Sequence, residues 1–360
     1  MRQDRYLALD GLRGIAALAV MVMHKGRWFL DSGGFLAHAY LAVDFFFMLS
    51  GFVIAAAYDR RLSEGMTASR FIFLRWARLY PLILAGLLLG AACRLLVAAV
   101  DIPGPPLWAL PGSLIRGLLL VPSLHLAPGE WGIYPLNGPT WSLFFELAAN
   151  LAFVLVFRWL GPRALVAVVA AGVLLVVGLA FSGGIDAGAT PREFLGGFPR
   201  VTYGFFAGVL LNRLLRGRSD APIAWALPVT AVALLAVFVV PGGRSWNPAF
   251  ELACLLLLFP AMIVLAARAP VLGWRAPLCA VAGALSYPVY VLHIPVYGLI
   301  TVLVLKFGWS ADHLRPWLGL GAATIILTVS WLALKLYDEP VRAWLVRFAP
   351  GARLASAPGQ

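Results

Sequence analysis

Residues 163–181 read RALVAVVAAGVLLVVGLAF, one arginine followed by eighteen apolar residues. A helix rising about 1.5 Å per residue covers the roughly 30 Å hydrocarbon core of a bilayer with such a stretch. A helix on the surface of a soluble protein keeps a polar face, and this one has none. It therefore reads as a membrane crossing. Outward from it, runs of the same character occupy 7–29, 35–58, 71–96, 139–157, 198–211, 222–240, 247–267, 276–306 and 314–337. The chain thus reads as an all-α integral membrane protein, a bundle of about ten transmembrane helices. A shorter run, 112–124, is flanked by prolines and reads as a re-entrant or outer-face helix within a Pro- and Gly-rich segment, 97–138. Residues 1–349 form one transmembrane domain, with 350–360 a loose cytoplasmic tail.

Composition agrees. Of the 360 residues, 62% are hydrophobic and 12% charged, about half the charge of a soluble domain, which excludes both an ordinary soluble protein and a disordered one. The net charge is +12, but the basic residues sit at the ends of apolar runs, so they report topology and not nucleic acid. With a cytoplasmic N-terminus and 112–124 not crossing, 19 of the 28 Lys and Arg fall inside. Cys93, Cys254 and Cys279 are far apart, which excludes a disulfide framework and a cysteine zinc site. No cleavable signal peptide is evident, and no metal site is expected.

Ionisable residues inside spans are costly and mark function. His24 lies near the outer end of the first span, where it either meets water or serves as a general base. Asp44, beside three phenylalanines, must face inward and pair with a histidine, an arginine or a backbone donor. Arg75 and Arg78 share a helix face near the inner end, suited to phosphate or to anionic lipid. Glu146, in Asn137-Gly-Pro-Thr-Trp141-Ser142-Leu-Phe-Phe-Glu146, is expected about 10 Å from the outer end, at a depth His24 shares. Ser286, Tyr290 and His293 form one polar stripe. Asp10 and Arg13 are expected to pair with each other or with the third span, and Ser50-Gly51 to let helices approach closely. Glu251, His38, His125 and His313, near outer ends or in loops, read as solvated.

These motifs resemble the acyltransferase-3 family of integral membrane acyltransferases. The resemblance runs from Leu9-Asp10-Gly11-Leu12-Arg13-Gly14 and His24, through Val43-Asp44 to Phe52, Arg75-Trp-Ala-Arg78-Leu-Tyr80-Pro81, Trp141 to Glu146 and Ser286-Tyr287 to His293. It ends at Tyr337-Asp338-Glu339-Pro340. It implies transfer of an acyl group, usually acetyl, from acyl-CoA to a hydroxyl of a carbohydrate, lipid-linked sugar or small metabolite. It also implies a catalytic His24 and donor handling by Arg75 and Arg78. The mechanism expected from placement has His24, oriented by Glu146 or Asp44, deprotonate the acceptor; the alternative is a covalent acyl-enzyme that carries the acyl group across. Trp141, Ser142, Tyr290 and His293 are the expected substrate contacts. The expected partners are acyl-CoA as co-substrate with no resident cofactor, the acceptor and membrane lipid, with no nucleic acid. The competing class is a transporter or flippase with a proton-coupled pathway.

The location expected is the cytoplasmic (inner) membrane, both termini inside. A single cysteine at Gly129 should then react with a membrane-impermeant thiol reagent in intact cells, and one at Gly217 should not. The reverse labelling would mean that 112–124 crosses.

Overall fold

The structure, a computed structural model, describes residues 6–30, 34–217 and 221–350. Arg2, Arg5, Arg218, Arg353 and the tail 351–360 lie outside the described residues. Every regular element among the described residues is helical. The main helices are α1 (Leu7–His24), α2 (Ala42–Ser63), α3 (Ala68–Ala99), α4 (Leu110–Leu118), α5 (Thr140–Val156), α6 (Pro162–Ser182) and α7 (Gly197–Leu215). They continue as α8 (Ala226–Val239), α9 (Asn247–Ala267), α10 (Arg275–Lys306) and α11 (Trp317–Val346). Nine of these stretches, among the described residues, are long and apolar enough to cross a membrane.

The tenth expected run, 222–240, forms only the 14-residue α8, about 21 Å long. Pro222 and Pro241 bound it, and residues preceding prolines leave the helical region. The short run 112–124 contributes α4, whose leucines pack with Leu87, Ala91 and Leu136. Tyr80 on α3 donates to the Leu118 carbonyl (2.9 Å), while Arg94, near the other end of α3, holds Pro106 and Glu130 at 2.9 and 2.6 Å. The segment therefore dips alongside α3 by about 20 Å at Leu118 and climbs back to Arg94 at Glu130; it then drops again, with Leu136 against Gly90 and Asn137 against Gly86, before α5 begins. Burial disfavours the Glu130 charge, but Ser113, Arg94 and the Ala127 N–H together hold that carboxylate below its ordinary range.

Two close helix pairs organise the bundle, α1 with α10 and α2 with α7. Neighbours of the first pair are α3 and α11; α5 and α6 flank the second. Glycine permits the α2–α7 approach. A Cβ at Gly51 would collide with the Phe205 carbonyl, and one at Gly208 with the Met48 carbonyl. The small Ser50-Gly51 pair does what its residue types suggested. Both backbones would have to separate to admit a methyl group.

Gly208→Ala should therefore lower the thermal melting point in detergent by several degrees or prevent folding. Gly178→Ala, which meets nothing within 4 Å, should leave the melt unchanged. Equal melts for the two variants would show that the close crossing is not what holds α2 to α7.

Candidate active site

A cavity of about 190 Å³ lies between the two helix pairs. Its polar lining is Arg13 from α1, Ser50 from α2, Arg75 and Arg78 from α3, Ser142 and Glu146 from α5, and Ser286, Tyr287 and Tyr290 from α10. The rest is apolar, chiefly Val43, Phe46, Phe47, Leu49 and Val53.

Helical spacing puts these groups in layers. At the arginine end, Arg13 pairs with Asp10 (2.9 Å) as expected, and also donates to Ser286 Oγ (2.9 Å) and the Gly283 carbonyl (2.8 Å). Arg75 donates to Glu146 Oε1 at 3.2 Å, and Ser50 donates to the same oxygen at 2.7 Å. One turn along α5, Ser142 meets the Tyr290 hydroxyl at 2.7 Å. One turn further along α10 lies His293, fully buried, with its ring against His24.

Backbone carbonyls fix both histidine tautomers. His24 Nδ1 lies 2.8 Å from the Val20 carbonyl, and His293 Nδ1 lies 3.0 Å from the Val289 carbonyl. Carbonyl oxygens only accept, so each Nδ1 carries the hydrogen. His293 Nε2 lies 3.3 Å from the same His24 Nδ1, so it shares that one hydrogen with the nearer Val20 carbonyl. The lone pair left over is on His24 Nε2. His24 is the exposed member of the pair and ends α1, as its position in the first span suggested.

Glu146 does not share this layer. About two helical turns, on the order of 10 Å, separate it from the histidines. Its expected depth assumed that α5 starts at the membrane surface, whereas the descending segment starts α5 lower. Neither Glu146 nor Asp44 orients His24; the Val20 carbonyl and His293 do.

Asp44 pairs with an arginine, one of its expected partners. Arg200 on α7 grips both carboxylate oxygens, Nε to Oδ1 at 3.0 Å and Nη2 to Oδ2 at 2.7 Å. Arg200 is fully buried, donates to the Ala187 carbonyl (2.8 Å), and lies 5.3 Å from the Trp141 ring centre. Trp141 thus supports Arg200 from below and is not on the cavity wall, unlike its neighbour Ser142. Sequence reasoning passed over Arg200. The available signal was an arginine at the start of the run 198–211 and an Asp44 that needed one.

Two residues expected in water are buried. Glu251 is covered by the segment after α6, accepting from the Ile185 N–H at 3.4 Å and from the Tyr40 hydroxyl. His38 is enclosed and donates to the Val240 carbonyl at 2.8 Å. His125 and His313 are exposed, as expected. Among the described residues no three His, Cys, Asp or Glu side chains are grouped to hold a metal ion.

A family model described as an acyltransferase domain matches residues 6–335. The chain belongs to the acyltransferase-3 family. It is similar to protein 2 in the picA locus of Rhizobium radiobacter, 40% identical over 193 residues, covering 49% of this chain and 97% of that protein. It is also similar to the acyltransferase MdmB of Streptomyces mycarofaciens, 36% identical over 165 residues, 44% of this chain but only 40% of that protein. No solved structure matches it. As an acyltransferase with membrane-spanning helices, the protein works on an acyl donor and an acceptor in contact with lipid.

In this acyltransferase Asp44 and Arg200 form one structural unit. Removing one partner of a buried ion pair costs about 3–5 kcal/mol, because the other charge is stranded. Asp44→Asn should therefore reduce the yield and melting point of folded protein. A normal melt with lost turnover would instead return Asp44 to the reacting groups.

Proposed function

We propose that the acyltransferase moves an acyl group, acetyl in the simplest case, from acyl-CoA entering at the cytoplasmic face. The acceptor is a hydroxyl of a carbohydrate or lipid-linked sugar on the other side of the membrane. The protein sits in the cytoplasmic membrane, and with the 14-residue α8 as a tenth, short crossing both termini lie inside. The observation that carries this reading is one cavity with guanidiniums at one end and, beyond Ser142 and Tyr290 at the other, an exposed histidine with a free Nε2. Guanidiniums suit donor phosphates. The apolar stretch between suits an extended thiol-ester arm.

In the reaction, His24 Nε2 removes the acceptor hydroxyl proton and the oxygen attacks the thioester carbonyl. A new C–O bond forms, the C–S bond breaks, and the proton passes from His24 to the leaving sulfur. Neither His24 nor His293 is on the cavity wall; His293 supports the tautomer set by the Val20 carbonyl by sharing the Nδ1 hydrogen. Glu146 acts at the donor end, fixing Arg75.

The test uses purified protein in nanodiscs with acetyl-CoA, following free thiol with and without candidate glycans. Thiol release should depend on both partners. His24→Ala should lower turnover by at least about 10²-fold, the low end for a general base, while coenzyme A still binds by calorimetry. Wild-type turnover in folded His24→Ala would remove this histidine from the mechanism, and absence of coenzyme A binding to the wild type would remove the donor.

A further inference from the structure

The three cavity arginines are not equivalent. Arg13 and Arg75 each hydrogen-bond a carboxylate. Arg78 makes no hydrogen bond to any described residue, and its Nη1 is buried without a partner. The carboxylate facing it, Asp338 on α11, is 3.8 Å away, within ion-pair range but beyond a hydrogen bond. Asp338 itself has no exposed surface, and neither of its oxygens has a hydrogen-bond partner. Arg342, one turn further along α11, approaches the same oxygen, Oδ2, with Nε at 3.1 Å, as an ion pair without hydrogen-bond alignment. Asp338 ends a π-helical turn, Ala333–Asp338. Such turns insert an extra residue and recur at functional sites.

Asp338 is thus shared unequally, closer to Arg342 than to Arg78. A buried carboxylate is not left unpaired. Without Arg342, the guanidinium left facing Asp338 is Arg78, and closing 3.8 Å to hydrogen-bond length takes about 1 Å of side-chain movement. The anion that then occupied Arg78 would be the protein's own.

We propose that Arg342 is a positioning residue for the donor. By holding Asp338 off Arg78, it keeps that guanidinium open to an anionic phosphate oxygen of the acyl donor. This rests on the donor reading above. Asp338 is on this view a competitor for Arg78 and not its support, which sets the sign of every substitution. Arg342 lies outside the cavity lining, so its effect reaches the donor through Asp338.

Calorimetry of coenzyme A binding to the protein in nanodiscs tests it, with the melting point recorded for each variant. Arg342→Ala should raise the Kd about tenfold, an ordinary size for a lost charge contact. The double variant Arg342→Ala/Asp338→Asn should return to within about threefold of wild type, because the competing charge is gone. Asp338→Asn alone, which keeps Arg342, should bind coenzyme A at least as tightly as wild type. Repeating the series with 3′-dephospho-coenzyme A identifies the phosphate: an effect that persists assigns the pyrophosphate to Arg78, and one that vanishes assigns the 3′-phosphate. An unchanged Kd in Arg342→Ala, no recovery in the double variant, or weaker binding in Asp338→Asn each overturns the proposal. Wild-type protein that binds no coenzyme A overturns the donor reading and this inference with it.

Discussion

The absence of water in hydrocarbon governs this molecule more than any single contact. An ion moved from water to a low-dielectric interior costs several kcal/mol even after relaxation, so each charge inside the bundle needs a partner built in. Asp10 serves Arg13, Glu146 serves Arg75, and Asp44 serves Arg200. The partners come from different helices in the last two cases. Helix packing is therefore fixed by charge geometry as well as by the close glycine crossing of α2 and α7. With less freedom to slide, the helices hold a cavity open that lipid-facing residues alone would let collapse.

The polar groups fall into two layers. One contains Arg13, Arg75, Arg78 and Glu146. The other contains the histidine pair, and also Arg200 with Asp44 and Tyr40 with Glu251. Between them the Ser142–Tyr290 hydrogen bond crosses from α5 to α10. The cavity itself is lined by guanidiniums at one end and by apolar side chains and hydroxyls elsewhere.

Much of this was legible in the residues. The spans followed from apolar length, and the Ser286–Tyr290–His293 stripe from helical spacing; all three face polar partners inside the bundle. Asp44 had to find a counter-charge, and the sequence restricted the choice to a few donor types. It could not name Arg200, because the two are 156 positions apart and only helix packing sets which faces meet. Depth was the less legible quantity. Glu146 was placed by counting from the start of its helix, and that start is lowered by the drop of the chain past Gly90 and Gly86 at Leu136 and Asn137. Glu251 and His38 were placed in water because they lie near helix ends, yet chain elements fold over both. Counting along a helix measures distance from its own end, not from the membrane surface.

The same point explains why the first helix carries the exposed histidine. His24 is the last residue of α1, so its imidazole can be exposed while its Nδ1 is still anchored to the carbonyl one turn back. His293, in the middle of a 32-residue helix, has the same anchor but no opening. Two chemically identical rings in contact are thereby given different work. The buried ring shares a hydrogen bond; the terminal ring keeps its Nε2 free and exposed. Exchanging their positions would leave the pair bonded and that nitrogen enclosed, so it is the end of α1, and not the presence of two histidines, that exposes an imidazole.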